Sequence, residues 1–125
     1  MQLLLVEGSP TIASGITNHL KGLGFDRCQC VASADEALRY LREQPVDLLI
    51  TGWTLAERSG VAFTRQVRAR ADCRHLPVLM ISPHDDHTRV LQALQAGVDG
   101  YLLRPFAPAD LAAKIEELAV RAPGA

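Results

Sequence analysis

Gln95-Ala96-Gly97-Val98-Asp99-Gly100-Tyr101-Leu102-Leu103-Arg104-Pro105-Phe106 compresses a helix end, a strand and a charged turn into one short stretch. Gly97 is the residue type that closes a helix, because only glycine turns the chain left-handed there at no steric cost. Tyr101–Leu103 then reads as a short buried strand, and Arg104-Pro105 ends it. Two residues past Phe106, Pro108 fits the first position of the next helix.

The same unit recurs on both sides. Short apolar runs lie at Leu3–Val6, Cys28–Val31, Leu48–Thr51 and Val78–Ile81. β-Branched content and flanking turn residues favour buried strands. Between them run punctuated amphipathic stretches. Ser9-Pro10 reads as N-cap and first helical residue, with Ile12, Ile16, Leu20 and Leu23 along one face and Gly24 closing. Ser33-Ala34-Asp35-Glu36 has the pattern of a capping box and leads into Ala37, Leu38 and Leu41. Ser59-Gly60 opens a third helix through Phe63 and Val67. A fourth begins near Asp86 and points Val90, Leu91 and Leu94 inward; a fifth runs from Pro108 through Leu111, Ile115 and Leu118. Five strands alternating with five helices predict an α/β fold, a parallel sheet covered on both faces by right-handed crossovers. Binding in such a sheet falls beyond the carboxyl ends of its strands: Glu7-Gly8-Ser9, Gly52-Trp53-Thr54, Ser82-Pro83 and Arg104-Pro105.

Composition removes several alternatives. At 125 residues the chain predicts one domain over residues 1–125, standing alone or forming the front of a longer regulator. Its 48% hydrophobic and 22% charged content is that of a globular protein, and a net charge of −1 gives no global field toward nucleic acid or membrane. Three cysteines without a CxxC make no disulfide framework. The first residues lack a signal peptide's basic flank and long apolar stretch, and no apolar run is of membrane-spanning length, which predicts a cytoplasmic protein.

With these elements in order, the chain resembles the receiver domain of two-component response regulators. Leu3-to-Pro10, Asp47-to-Gly60, Leu76-to-Pro83 and Ala96-to-Phe106 all match that family in order and spacing. The Ala96–Phe106 stretch is similar to its "AGAxxYxxKPF" segment, in which the Lys-Pro bond is usually cis. The resemblance implies a flavodoxin-like (βα)5 fold with strand order 2-1-3-4-5, in a bacterial two-component pathway. It also implies phosphoryl transfer from a histidine kinase to an Asp ending the third strand. That chemistry uses Mg²⁺ held by this Asp and an acidic pair after the first strand.

Position by position, the chain departs from that pattern. Gly52 stands at the nucleophile's place and cannot form an acyl phosphate. Glu7-Gly8 replaces the acidic pair, leaving one carboxylate where the family pools three. Arg104 replaces the Lys, and a planar guanidinium is not an ammonium point charge. Ser82 keeps the Thr/Ser hydroxyl, but Pro83 follows it and lacks the N–H that the family aims at a phosphoryl oxygen. The expectation is a degenerate receiver that is not an enzyme, has no cofactor and holds Mg²⁺ weakly or not at all. Glu7 is expected to pair with Arg104 across the emptied site.

Other groups could serve either the scaffold or a chemical site. Thr51, Thr54 and Ser82 are hydroxyls that satisfy turns rather than substitute phosphoacceptors. His84-Asp85-Asp86-His87 resembles a metal cluster, yet aspartates are ordinary caps before a helix. Cys28 and Cys30 share a face of a short strand and are expected buried and reduced. Arg58, Arg65, Arg68, Arg70 and Arg74 make the third helix and its exit basic; without interleaved aromatics this is a solvated face, not a nucleic-acid surface. Trp53 follows the vacated nucleophile position, as is common in the family.

The leading expectation is a phosphorylation-independent signalling module working through protein contacts. Ser82 and Tyr101 correspond to the family's switch pair. The surface of the fourth helix, fifth strand and fifth helix, with Gln92, Gln95, Tyr101 and Lys114, is the expected site of a partner or of a two-fold dimer. The alternative is a sensor of a small anion or nucleotide, which would use volume vacated at Gly8 and Gly52, beside Arg104 and the helix N-terminus at Ser9.

Overall fold

The computed structural model of the chain describes residues 1–121. The strands are β1 (Leu3–Val6), β2 (Cys28–Val31), β3 (Leu48–Gly52), β4 (Val78–Ser82) and β5 (Gly100–Leu103). The helices are α1 (Pro10–Gly22), α2 (Ala34–Glu43), α3 (Gly60–Ala69), α4 (His87–Ala96) and α5 (Pro108–Arg121), with a 3₁₀ turn at Ala71–Cys73. All strand pairs are parallel and the order is β2-β1-β3-β4-β5, so this is the five-stranded flavodoxin-like sheet that the resemblance implies. The Arg104-Pro105 bond is cis.

Strand alternation divides the core into two layers, because successive side chains leave a strand on opposite faces. Leu4, Val6, Leu49, Val78 and Met80 pack with Ala34, Ala37, Phe63, Val67, Ala93 and Ala96, beneath α2, α3 and α4. Leu3, Leu5, Ile50, Leu79 and Ile81 pack with Ile16, Leu20, Leu111, Ile115 and Leu118, beneath α1 and α5. The caps follow the sequence signals. Ser9, Ser33, Ser59 and Asp86 each accept the N–H three residues on, and Gly97 closes α4 at φ 111°. At Ser33 the Glu36 side chain answers the cap through the hydroxyl, Ser33 Oγ–H donating to Glu36 Oε1 at 3.4 Å.

Burial differs from the sequence reading in two places. In α4 the sheet-facing residues are Ala93 and Ala96, whereas Leu91 and Leu94 are 42% and 47% exposed. Small side chains let α4 lie close to its neighbours, and the larger leucines are turned outward. The strand β2 is also not a buried strand. It lies at the sheet edge with Cys28 half-buried and Cys30 exposed, so the expected pair of buried cysteines is not formed. Burial raises both thiols above their ordinary value, Cys28 to about 11, which keeps them protonated and poorly nucleophilic.

Candidate functional site

Beyond the carboxyl ends of β1, β3, β4 and β5 lies a crevice of about 320 Å³, walled by Glu7, Trp53, Leu55, Pro83, His84 and Arg104. Glu7 forms its floor. Its side chain is carried over Gly52, and Oε2 falls in the space that a Cβ on residue 52 would occupy. Oε1 accepts the Ser9 N–H at 3.2 Å. Burial pushes the Glu7 carboxyl above its ordinary value; the Ser9 amide, the Arg104 charge and the Gly8 amide oppose the rise.

This arrangement overturns the expectation of vacated volume. The space at Gly52 is filled by the Glu7 carboxylate. A Cβ on Gly8 would meet the Thr54 carbonyl oxygen at 3.2 Å and the Leu55 backbone at 3.3 Å, so the β3–α3 loop already closes over that glycine. The N-terminus of α1 is not a free anion cradle either. Pro10 has no N–H, and the Ile12 and Ala13 amides go to the Ser9 side chain and carbonyl.

The expected Glu7–Arg104 ion pair is also absent among the described residues. The Glu7 carboxylate turns toward Gly52 and the Ser9 amide, and the half-buried Arg104 is left across the crevice, acting on it only through space.

The other candidates are assembled around His84. Ser82 is fully buried and its Oγ accepts the His84 N–H at 3.1 Å. The Tyr101 hydroxyl donates to the His84 carbonyl at 2.6 Å. The His84 ring stands edge-on to Trp53, with centroids 5.5 Å apart and planes at 78°. One residue therefore connects the crevice wall to β5, a connection that nothing in the local sequence signals. Pro83 lines the crevice without an N–H to offer, and the Thr51 hydroxyl donates to the Gly52 carbonyl at 3.0 Å. Gln92 and Gln95 are exposed on α4, and Lys114 lies 4.0 Å from Glu117 on its own helix.

The donor set does not fit Mg²⁺. That ion takes hard oxygen ligands in near-ideal octahedral geometry. Here positions 8 and 52 offer no side-chain oxygen, and the remaining carboxylate is held down over Gly52 with one oxygen tied to a backbone amide. Elsewhere, Asp86 serves as the N-cap of α4 and pairs with Arg89 at 2.9 Å. No group of three or more His, Cys, Asp or Glu gathers among the described residues.

The basic stretch is less solvated than its sequence suggests. Arg58 bonds Asp35 and Gln66, and Arg70 bonds Asp72 and the Leu38 carbonyl. Arg68 donates to the carbonyls of Gly97, Cys73, Arg74 and Leu76 and to Asp99. All of these carbonyls lie outside α3, so nothing local to Arg68 in the sequence signals them.

Parallel strands in order 2-1-3-4-5, with a crevice at their carboxyl ends, define a doubly wound α/β protein of the flavodoxin-like class. The response regulator receiver domain model matches residues 3–116. The chemotaxis protein CheY of Pseudomonas aeruginosa is 35% identical, over 99% of this chain and all of that protein. A putative response regulator from Chloroflexus aurantiacus superposes with a TM-score of 0.90 at 28% identity, covering 95% of this chain and 97% of that one. The receiver domain of a sensor histidine kinase from Pseudomonas aeruginosa, solved with magnesium in its active site cleft, gives a TM-score of 0.87 at 28% identity, covering 95% and 97%. The chain belongs to the response regulator receiver domain family. Its class of activity is signal transduction, and no described helix is long and apolar enough to cross a membrane.

Proposed function

We propose that this receiver domain signals through protein contacts that do not depend on phosphorylation, as a non-enzymatic module of a two-component-type pathway in the cytoplasm. The observation that carries the reading is the Glu7 side chain lying over Gly52: the position of the acceptor carboxylate holds no nucleophile of its own. A receiver's phosphoryl group shifts the equilibrium of its output face only by the interactions it makes in one state. Without an acceptor, that shift is lost. The Tyr101–His84 bond then supports a face held mainly in one state, with its partner bound constitutively. The partner is a protein, or a second copy of the chain, docking on α4, β5 and α5 near Gln92, Gln95, Tyr101 and Lys114.

The test combines acetyl phosphate and Mg²⁺ with mass spectrometry and sedimentation. The expected outcome is no added phosphoryl group and no donor-dependent change in assembly. Tyr101→Ala and Lys114→Glu should weaken partner binding or self-association by roughly tenfold. Phosphoryl incorporation at any crevice residue, or binding seen only after the donor is added, would overturn the reading.

A further inference from the structure

Two charged groups face this crevice with bonding capacity that the protein does not use. Glu7 is 8% exposed; its Oε1 accepts the Ser9 N–H at 3.2 Å, and the Gly8 amide also favours the charged carboxylate. Its Oε2 accepts no hydrogen bond among the described residues, yet no fully enclosed side-chain oxygen there is left unsatisfied. Oε2 is therefore not fully enclosed, and Glu7 lines the crevice. Arg104 lines the same crevice, and its side chain makes no hydrogen bond or ion pair among the described residues. The rest of the lining is mixed, with Ile12, Trp53, Leu55 and Ile81 beside the polar Ser9, Thr54 and His84.

These features select a ligand by charge. An inorganic or organic anion would meet Arg104 but press against the Glu7 carboxylate, and like charges at close range in a shielded site repel strongly. A simple amine would meet Glu7 but leave Arg104 unanswered. A zwitterion answers both: its ammonium supplies donors to Glu7 Oε2, and its carboxylate matches the planar fork of the guanidinium, each through charge-assisted bonds of about 2.8 Å. A crevice of about 320 Å³ is at the small end of ligand sites, and Ile12, Leu55, Ile81 and Trp53 in its lining suit a compact apolar side chain. We propose that the crevice binds a free α-amino acid with an apolar side chain, ammonium toward Glu7 and carboxylate toward Arg104. This assigns a ligand to the crevice at the strand ends and goes beyond the protein-contact reading, on which it does not depend.

Trp53 is the single tryptophan of the chain and lines the crevice, so its fluorescence reports directly on occupancy. The native protein is titrated with a panel of standard L-amino acids, L-leucine foremost. Acetyl phosphate serves as the anion control, with 4-methylpentanoate and 3-methylbutylamine as leucine lacking its amino or its carboxyl group. The expected result is a saturable change with an apolar amino acid, with each half-analogue at least roughly tenfold weaker, because each leaves either Glu7 or Arg104 without its charge partner. Glu7→Gln and Arg104→Met should lose affinity by a similar factor while unfolding as single cooperative transitions. No saturable response to any amino acid at millimolar concentration would overturn the proposal. So would equal affinity for 4-methylpentanoate or acetyl phosphate, or unchanged binding in both folded variants.

Discussion

Two arginines at opposite ends of one sheet have opposite surroundings. Arg68, below the amino end of β4, donates to Gly97 O from Nε and Nη2 at 3.0 and 2.9 Å, and to Leu76 O at 2.7 Å. It reaches Cys73 O and Arg74 O as well, and its Nη2 meets Asp99 Oδ2 at 2.7 Å. Asp99 Oδ2 in turn accepts the Val78 N–H at 2.9 Å, so one guanidinium ties α3, the start of β4 and the α4–β5 turn together. Arg104, at the carboxyl end of β5, has none of this. An arginine surrounded by carbonyls is part of the scaffold, whereas one lining a crevice beside a carboxylate that does not pair with it keeps its donors free.

The largest expected effect tests the scaffold side. Arg68→Met should lower unfolding stability by about 3 kcal/mol, because several carbonyls and the Asp99 carboxylate lose their donor at once. Arg104→Met should change it by less than about 0.5 kcal/mol, as for a surface change without partners. Equal losses in urea unfolding would erase the distinction between the two ends.

A smaller effect is expected on the crevice floor. Gly52→Asp places a Cβ against Glu7 Oε2 and a second carboxylate beside the first. The flexible Glu7 side chain can move away, so the loss should be about 1–2 kcal/mol. Glu7→Ala in the Gly52→Asp background should then recover much of it. A Gly52→Asp variant as stable as the parent would show that the Glu7 carboxylate does not depend on the glycine.

The smallest effect is one of pH. The folded-state value of Glu7 is raised above its ordinary 4.5, so the folded chain holds this proton more tightly than the unfolded chain. The resulting stability is complete below about pH 4.5 and is lost as pH rises through the folded-state value. Glu7→Gln should flatten that part of the stability–pH curve. An unchanged slope in thermal melts across the window would place the carboxylate in water rather than over Gly52.

Much of this was legible in residue order. The alternation of Leu3–Val6 with the capped helix after Ser9, and the Gly97 closure before β5, are local signals, and each appears where expected. Leu91 and Leu94 were misleading because their spacing fits a helical stripe, yet which side of α4 faces inward depends on how closely Ala93 and Ala96 let it approach. Cys28 and Cys30 read as core for a similar reason: an apolar run does not say whether its strand is central or at the edge.

The same division runs through the site. Sequence alone determined that position 52 has no carboxylate, that position 83 has no N–H, and that Arg104 stands after the fifth strand. That Glu7 covers Gly52 instead of pairing with Arg104, and that His84 connects Trp53, Ser82 and Tyr101, follows from packing across the strand ends. Chemistry that a residue type lacks is absent in every conformation. What a long side chain does depends on partners far away in the chain, and these meet only when the sheet brings its strand ends together.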